Sequence, residues 1–114
     1  MTPRKRFLIS KGDEYHILEV EQISHIATTE SGVKAYLHDG NSLTLSHTMN
    51  ELEQELDSSL FFRANRQYIV NVNSINRISN YFNSKLLIRL KGYPHIEIVL
   101  SRERSSLFKE WLDR

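Results

Sequence analysis

Short runs of apolar and β-branched residues alternate with polar turn residues along most of this 114-residue chain. Runs of this length, bounded by Gly, Asn, Asp and Ser, are typical of β-strands joined by tight turns. Their regular spacing predicts hairpins and antiparallel sheets. The predicted strands are residues 6–10, 15–20, 23–29, 33–38, 43–46, 68–71, 75–79, 85–91 and 95–100, and the predicted turns are 12–13, 31–32, 39–41, 80–84 and 92–94.

The turn at residues 39–41 also predicts a strand register. With a three-residue loop, Leu37 faces Leu43 and Ala35 faces Leu45, so that four apolar side chains share one face of the hairpin. A two-residue turn would scatter them over both faces. We therefore predict the three-residue loop.

Two segments have helical periodicity instead. The first runs from Thr48 to Asp57, with Thr48 as N-cap and Glu51 completing a capping box. The second begins near Ser101, whose hydroxyl can cap the following amides. The apolar stripes are Met49, Leu52 and Leu56 in the first helix, and Leu107, Phe108, Trp111 and Leu112 in the second.

The length of the chain fits one domain with one core. With 39% hydrophobic and 25% charged residues it should fold, and no stretch approaches the roughly 18 apolar residues of a membrane span. The absence of cysteine excludes disulfides and thiolate chemistry. We predict a linker-like tail at residues 1–6, a single domain at residues 7–114, no membrane partner and, by default, a cytoplasmic location.

Charge is strongly segregated along the chain. Residues 12–59 contain ten acidic side chains against one basic side chain, whereas residues 60–106 contain eight basic against two acidic. The second half can therefore present a basic face to an anionic partner. Arg102 and Arg104 fall in the first turn of the second helix, where the helix dipole disfavours cations. This placement suggests that they serve an external anion.

The residues give little support for catalysis. The acidic side chains lie mostly in the capped helix and in turns, without a paired nucleophile and base. The five histidines show no ligand spacing, so we interpret them as surface or interstrand residues and predict no metal, cofactor or enzymatic activity.

Residues 61–71, FFRANRQYIVN, combine apolar anchors with side chains that hold phosphates and read base edges. Arg63, Asn65, Arg66 and Gln67 lie between the anchors, just before a β-branched run. An alternative is that Arg63 and Arg66 form surface ion pairs with the acidic half. For the aromatic residues Phe61, Phe62, Tyr81 and Phe82, core packing is favoured over base stacking.

This segment resembles the signature of LytTR-type DNA-binding domains: a Phe-x-Arg, a His-Arg-Ser-like triplet, an aromatic residue and Val-Asn. The similarity covers nearly the whole chain. In the triplet, Asn65 and Gln67 replace the histidine and the serine, while Arg66 is kept. Other matching positions are Gly40, Leu52, Ile75, the strand at residues 85–90, and Ser101-Arg102.

The resemblance implies a mainly β fold with two short helices, built as an elongated stack of small antiparallel sheets. One helix would follow the early hairpin and the other would lie at the C-terminus. Loops of such a domain enter successive major grooves of duplex promoter DNA, and the domain binds direct repeats as a dimer. Such domains are usually output halves of two-component response regulators. A receiver domain, absent from this chain, is expected upstream in a full-length homologue.

By position in the family pattern, DNA backbone contacts are predicted for Arg63, Asn65 and Arg66. Base contacts are predicted for Ser31, Lys34, Arg102 and Arg104. Two other functions fit the residues. One is a protein-interaction module that presents a β-strand edge; the other is a single-stranded RNA-binding domain that exposes Tyr68, Tyr81 and Phe82.

Overall fold

The computed structural model describes residues 2–114, and this part of the chain contains ten strands and two α-helices. The mainly β class with two helices, predicted from the sequence, is confirmed. The strands are β1 Arg6–Lys11, β2 Glu14–Glu19, β3 Ile23–Thr29, β4 Gly32–Leu37, β5 Ser42–Leu45, β6 Phe61–Arg63, β7 Tyr68–Asn71, β8 Ile75–Tyr81, β9 Lys85–Leu90 and β10 Tyr93–Leu100, and the helices are α1 Met49–Glu55 and α2 Arg102–Leu112.

The strands form three small sheets in which every neighbouring pair is antiparallel. A five-stranded sheet has the order β5-β4-β3-β7-β6, a three-stranded sheet has the order β10-β9-β8, and β1 pairs with β2 alone. The molecule is elongated, with extents of 49 × 34 × 22 Å. The predicted stack of small antiparallel sheets is therefore observed.

The five-stranded sheet is buried on both faces, and each face contributes to a separate core. Side chains alternate between faces along a strand, so that Ile69 enters one core and Val70 the other. Phe61 and Phe62 of β6 divide in the same way. Helix α1 and the β1–β2 hairpin supply the rest of the first core, while the three-stranded sheet and α2 supply the rest of the second.

Helix α1 begins as predicted. The Thr48 hydroxyl accepts a hydrogen bond from the Glu51 amide (3.1 Å), and the Glu51 carboxylate accepts one from the Thr48 amide (2.8 Å). The hydrogen bonds from Thr48 lower the pKa of Glu51. The helix ends at Glu55 rather than at the predicted Asp57. Asp57 instead accepts hydrogen bonds from the amide and hydroxyl of Ser59, which stabilise a turn.

The predicted register of the β4–β5 hairpin is wrong by two residues. Ala35 lies opposite Leu43, and the Leu37 amide donates to the Asn41 carbonyl (2.8 Å), so the three loop residues are 38–40. Gly40, with φ +91°, therefore occupies the last loop position, where a left-handed residue is needed. The shift is even, so the four apolar side chains still share the face of the first core.

Two segments differ from the predicted strands and turns. Residues 61–71 form a hairpin, β6–β7, because the turn at residues 64–67 reverses the chain after only three strand residues. Strand β10 begins at Tyr93, within the predicted turn at 92–94. Tyr93 is buried and its hydroxyl donates to the Leu37 carbonyl (2.6 Å), which ties the start of this strand to the five-stranded sheet.

The predicted N-terminal tail, residues 1–6, is partly packed against the domain. Arg4 donates from its amide to the Glu55 carbonyl (2.8 Å), pairs with the Glu55 carboxylate (2.6 Å) and lies over the Phe7 ring. Arg6 already belongs to β1. Met1 lies outside the described residues, and the boundary between tail and domain stays a prediction.

His25 departs from the other histidines because it is fully buried in β3. Its ring stacks on Tyr36 with centroids 4.9 Å apart and meets Tyr93 edge-on at 4.8 Å. Its Nδ1 lies 3.0 Å from the Ser24 hydroxyl, while its Nε2 has no partner among the described residues. Burial first, and the charge of His95 second, lower the pKa of His25 to about 4.

Candidate nucleic-acid interface

The antiparallel pairing of β3 with β7 brings two predicted contact segments to one edge of the molecule. Ala27 pairs with Tyr68, and the Thr28 amide donates to the Gln67 carbonyl (2.9 Å). The turn between β3 and β4 therefore lies beside the β6–β7 turn of residues 64–67. These two turns are 30 or more residues apart in the chain, so only the sheet topology makes them neighbours.

The β6–β7 turn is also held against the start of α2. The Asn65 side-chain amide donates to the Val99 carbonyl (3.1 Å), near the end of β10. Arg104, in the first turn of α2, donates to the Arg63 carbonyl. Three predicted contact segments thus form one continuous edge: the β3–β4 turn, the β6–β7 turn and the start of α2.

Arg63 uses its guanidinium to hold this edge together. It donates to the carbonyls of Asn65 and Arg66, each at 3.0 Å, and to the Asn50 side chain of α1 at 2.8 Å. It also forms an ion pair with Glu53 at 3.3 Å. The alternative of a surface ion pair with the acidic half therefore holds for Arg63. Neither Asn50 nor Glu53 was singled out in the sequence, and the only signal was their place on the polar face of a capped helix.

Asn65 is similarly engaged within the protein. Its side-chain oxygen accepts hydrogen bonds from the amides of Gln67 and Tyr68, both at 2.9 Å. Asparagine is favoured in turns because its short side chain can bond to the backbone two residues on. With its amide nitrogen on Val99, Asn65 has its hydrogen-bonding groups occupied by the fold.

Arg66 and Arg102 differ from Arg63 and Arg104 because both are exposed rather than partly buried. The ion pairs formed within residues 2–114 use Arg4, Arg6, Arg63 and Arg89, and neither of these two arginines. Arg66 projects from the middle of the β6–β7 turn, and Arg102 follows the Ser101 N-cap of α2. Their charges are available to a molecule outside the chain.

Arg104 is only partly exposed, and its guanidinium lies over the Phe62 ring, 4.6 Å from the centroid. This cation–π contact and its bond to the Arg63 carbonyl fix its position. A groove of about 670 Å³ lies between α1, the β6–β7 turn and the start of α2, lined by Asn50, Glu53, Arg63, Asn65, Arg66, Ser101 and Arg104. Glu53 is the one acidic residue of this lining, against three arginines and three neutral polar residues, so the groove favours an anion.

The β3–β4 turn places Ser31 at an exposed tip. Thr29 shapes this turn, since its hydroxyl accepts from the Ser31 amide (3.1 Å) and donates to the Gly32 carbonyl (2.9 Å). Lys34, on β4, is half-buried and lies between Ala27 and Thr44 of the neighbouring strands. Alternation puts Lys34 on the same face as Tyr36, behind the tip rather than on it.

Phe61 is buried and Phe62 half-buried, in agreement with the predicted core packing, and Tyr68 and Val70 of β7 are half-buried and buried. The prediction of core packing is wrong for Tyr81 and Phe82, whose exposed fractions are 39% and 62%. Both side chains lie at the tip of the β8–β9 hairpin.

Metal-binding groups and membrane-spanning helices are two further features that bear on function. Within residues 2–114, no group of three or more His, Cys, Asp or Glu side chains is arranged to hold a metal ion. Neither α-helix of this described part has the length and apolar character required to cross a membrane.

Comparison with known proteins identifies a family to which this chain is similar. Residues 13–113 match the family model described as LytTr DNA-binding domain. The chain is 29% identical over 93 residues to the sensory transduction protein LytT of Bacillus subtilis, covering 82% of this chain and 38% of that protein. It is 25% identical over 103 residues to an uncharacterized response regulatory protein of Vibrio cholerae, covering 88% of this chain and 38% of that protein.

A third relative, the transcriptional regulatory protein YpdB of Escherichia coli K12, is 32% identical over 69 residues, 60% of this chain and 28% of that protein. The chain thus spans less than two-fifths of each of these relatives. A solved LytTr DNA-binding domain, from a Bacillus cereus protein described as a methyl-accepting/DNA response regulator, superimposes with a TM-score of 0.81. That comparison covers 97% of this chain and 99% of the other at 19% identity, and it shows a shared fold.

Proposed function

This chain belongs to the LytTR family of DNA-binding domains, and from that membership we propose that it binds duplex promoter DNA sequence-specifically to regulate transcription. The observation that carries the proposal is the edge from which Arg66 and Arg102 project, exposed and without an ion-pair partner in residues 2–114. One of these arginines, Arg66, lines the groove that favours anions, and the other begins α2. Exposed guanidinium groups in such positions suit the phosphates and base edges of DNA.

In this proposal Arg66 contacts a backbone phosphate, whereas Arg63 and Asn65 act mainly by positioning it. Arg63 bonds to the carbonyls of residues 65 and 66, and Asn65 bonds to the amides of residues 67 and 68. The turn that carries Arg66 is thereby braced on both sides. We expected all three to contact DNA directly, and the geometry supports that role best for Arg66.

Base reading is proposed for Ser31 and Arg102, which lie at the tips of two separate segments of the edge. Lys34 and Arg104 lie behind those tips, so we assign them a supporting electrostatic role. A cation near the DNA surface strengthens binding to all sequences, whereas a side chain on a base edge discriminates among them.

The proposal extends to the longer proteins of the family. The chain would act as the output domain of a two-component response regulator, behind a receiver domain, in the cytoplasm. It would bind promoter direct repeats as a dimer. This function needs no catalytic residue, cofactor or metal.

The experiment has two stages: selection of bound sequences from random duplex DNA, then titration of the selected duplex at several salt concentrations. We expect Arg66→Ala to weaken binding to selected and unselected duplexes alike, and to reduce the slope of log K against log salt by about one. Arg102→Ala should weaken the selected duplex more than the unselected one. Arg114→Ala, beyond the far end of α2, is the matched control and should bind normally.

Unchanged binding by Arg66→Ala across that salt series would contradict the proposal. The protein-interaction alternative predicts that wild-type affinity for duplex DNA is weak and independent of its sequence. Competition with single-stranded RNA tests the remaining alternative, for which the exposed Tyr81 and Phe82 are the supporting observation.

A further inference from the structure

We propose that the hairpin tip formed by residues 81–85, between β8 and β9, is a fourth contact element that grips the DNA backbone beside the three segments described above. We call it the flank turn. This inference rests on the proposed function, because it assigns an additional element to the same DNA-binding edge.

Strand register places the flank turn on that edge. Leu86 of β9 pairs with Leu100 of β10 on one side and with Asn80 of β8 on the other. One position further outward lie Tyr81 at the end of β8, Lys85 at the start of β9, and Ser101 just after β10. Lys85 pairs with Tyr81. The flank turn and the start of α2 thus leave the three-stranded sheet at the same end.

The tip has the backbone conformation of a tight turn and exposes its aromatic side chains. Asn83 and Ser84 have φ of 59° and 61°, the pair of left-handed residues that a tight type I′ hairpin turn requires. Serine tolerates this conformation poorly, so the backbone of the turn is locally strained at Ser84. Tyr81 and Phe82 stand together with centroids 4.4 Å apart and remain exposed.

Cationic side chains accompany these rings. The Lys85 ammonium lies 5.4 Å from the centroid of Phe82. Behind the tip, Arg77 lies directly opposite Arg89, although like charges in that position are unfavourable. Only Arg89 has a carboxylate partner, Glu97, among the ion pairs within residues 2–114. An external polyanion would relieve this repulsion.

The chemistry fits duplex DNA better than single-stranded RNA. A single-strand platform stacks successive bases on separate aromatic faces. Here Tyr81 and Phe82 contact one another at an interplanar angle of 39°, so they do not form two independent platforms. A compact apolar tip with an ammonium at its side suits the sugar and phosphate of a duplex backbone.

The first test compares two lysines at opposite ends of β9. Lys85→Gln should bind the selected duplex about fivefold to tenfold more weakly near 0.1 M salt and lower the salt slope by about one. Lys91→Gln is the matched control, since Lys91 follows the other end of β9 and donates to the Asn73 carbonyl. Equal effects of the two substitutions would overturn the proposal.

The second test addresses the aromatic tip. Phe82→Ala should weaken binding about threefold to tenfold without changing the salt slope. Leu8→Ala, an equally exposed apolar position on the β1–β2 hairpin, is its control and should bind normally. Thermal unfolding of each variant checks that the fold is intact. If Phe82→Ala weakened binding of single-stranded RNA and not of duplex DNA, the proposal would be wrong.

Shortening the duplex shows where the contact lies. The flank turn is at one end of the row of contact segments, so removal of base pairs from one flank of the selected site should weaken the wild type. The same removal should have little effect on Lys85→Gln or Phe82→Ala, because those variants have already lost the contact. An equal loss in wild type and variants would overturn the proposal.

The two proposals fail in different ways. If the wild-type protein does not bind selected duplex DNA, or if Arg66→Ala binds normally, the proposed function is wrong. If the wild type binds the selected duplex and Arg66→Ala weakens that binding, but Lys85→Gln behaves like Lys91→Gln, the flank turn alone is wrongly assigned.

Discussion

At the scale of single residues, Arg63 and Arg66 show that one residue type serves two purposes within one turn. Arg63 is mostly buried, and its donors are occupied by two carbonyls and the side chains of Asn50 and Glu53. The Arg66 side chain is exposed and bonds to none of these groups, although the Arg66 carbonyl accepts from Arg63. The difference has measurable consequences for stability, because an occupied side chain contributes to folding and a solvated one does not.

We predict that Asn65→Ala destabilises the protein while Arg66→Ala leaves its stability nearly unchanged. Loss of the Asn65 bonds to two amides and to the Val99 carbonyl should lower the free energy of unfolding by about 1–3 kcal/mol. Arg66→Ala should change it by less than about 0.5 kcal/mol. Urea unfolding measures both, and an equal loss in both variants would contradict the division of roles.

His25 gives a prediction about pH. Its pKa is about 4 in the folded protein, against 6.5 for the unperturbed side chain. Between these values the unfolded chain binds more protons than the folded one, so stability falls as the pH is lowered through this range. The titration of His25 should therefore lower the free energy of unfolding by about 2 kcal/mol between about pH 7.5 and pH 5.

The matched variant is His25→Phe, which keeps a ring among Tyr36, Tyr68 and Tyr93 but does not titrate. Burial raises the pKa of Tyr68 and of Tyr93, so these phenols stay neutral throughout the range. Urea unfolding at several pH values should show a shallower pH dependence for the variant. An unchanged slope would mean that His25 is not the titrating group.

At the scale of elements, helix ends depend on contacts between residues close in sequence. The reciprocal bonds of Thr48 and Glu51 start α1, and the Ser101 hydroxyl accepts from the Arg104 amide (3.2 Å) at the start of α2. Helix α1 has only seven residues, too few to be stable alone. It therefore relies on its cap and on the burial of Met49 and Leu52.

Removal of the cap should destabilise the whole domain. We expect Thr48→Ala to lower the free energy of unfolding by about 1 kcal/mol, because the Glu51 amide loses its acceptor. Thr48→Ser retains the hydroxyl and should cost much less. If the serine variant were as unstable as the alanine variant, loss of the Thr48 methyl group rather than of the cap would be responsible.

At the scale of the whole molecule, the five-stranded sheet is shared by the two cores. Its strands send alternate side chains to opposite faces, so that neither core can form without this sheet. The contact edge crosses from one sheet to the other through the bonds of Asn65 and Arg104. Cooperative folding of both layers is thus required to assemble the edge that we propose binds DNA.

Unfolding of the two cores should therefore be a single transition. Leu52→Ala, in the first core, should cost about 2–5 kcal/mol. The single tryptophan, Trp111, packs against the second core, so its fluorescence reports on a distant layer. Urea midpoints from Trp111 fluorescence and from far-ultraviolet circular dichroism should shift together. Separate midpoints would show that the two layers unfold independently.

The sequence by itself determined the features that depend on near neighbours. Alternating apolar residues predicted most strands, and Thr48 with Glu51 and Ser101 predicted where both helices begin. The family signature around Arg66 was also readable, because it is a continuous segment. These predictions succeeded since strand alternation, turns and caps are determined by residues within a few positions of one another.

Only the tertiary structure decided which side chains were left free for a partner. Asn65 and Arg63 resemble contact residues in the sequence, yet their side chains bond to partners up to 34 residues away, which the tertiary fold brings together. The burial of His25, the exposure of Phe82, and the meeting of two turns with the start of α2 at one edge depend on the same long-range pairing. Local sequence patterns do not reveal such distant partners, because the hydrogen bonds and burial of a side chain depend on residues that only folding brings next to it.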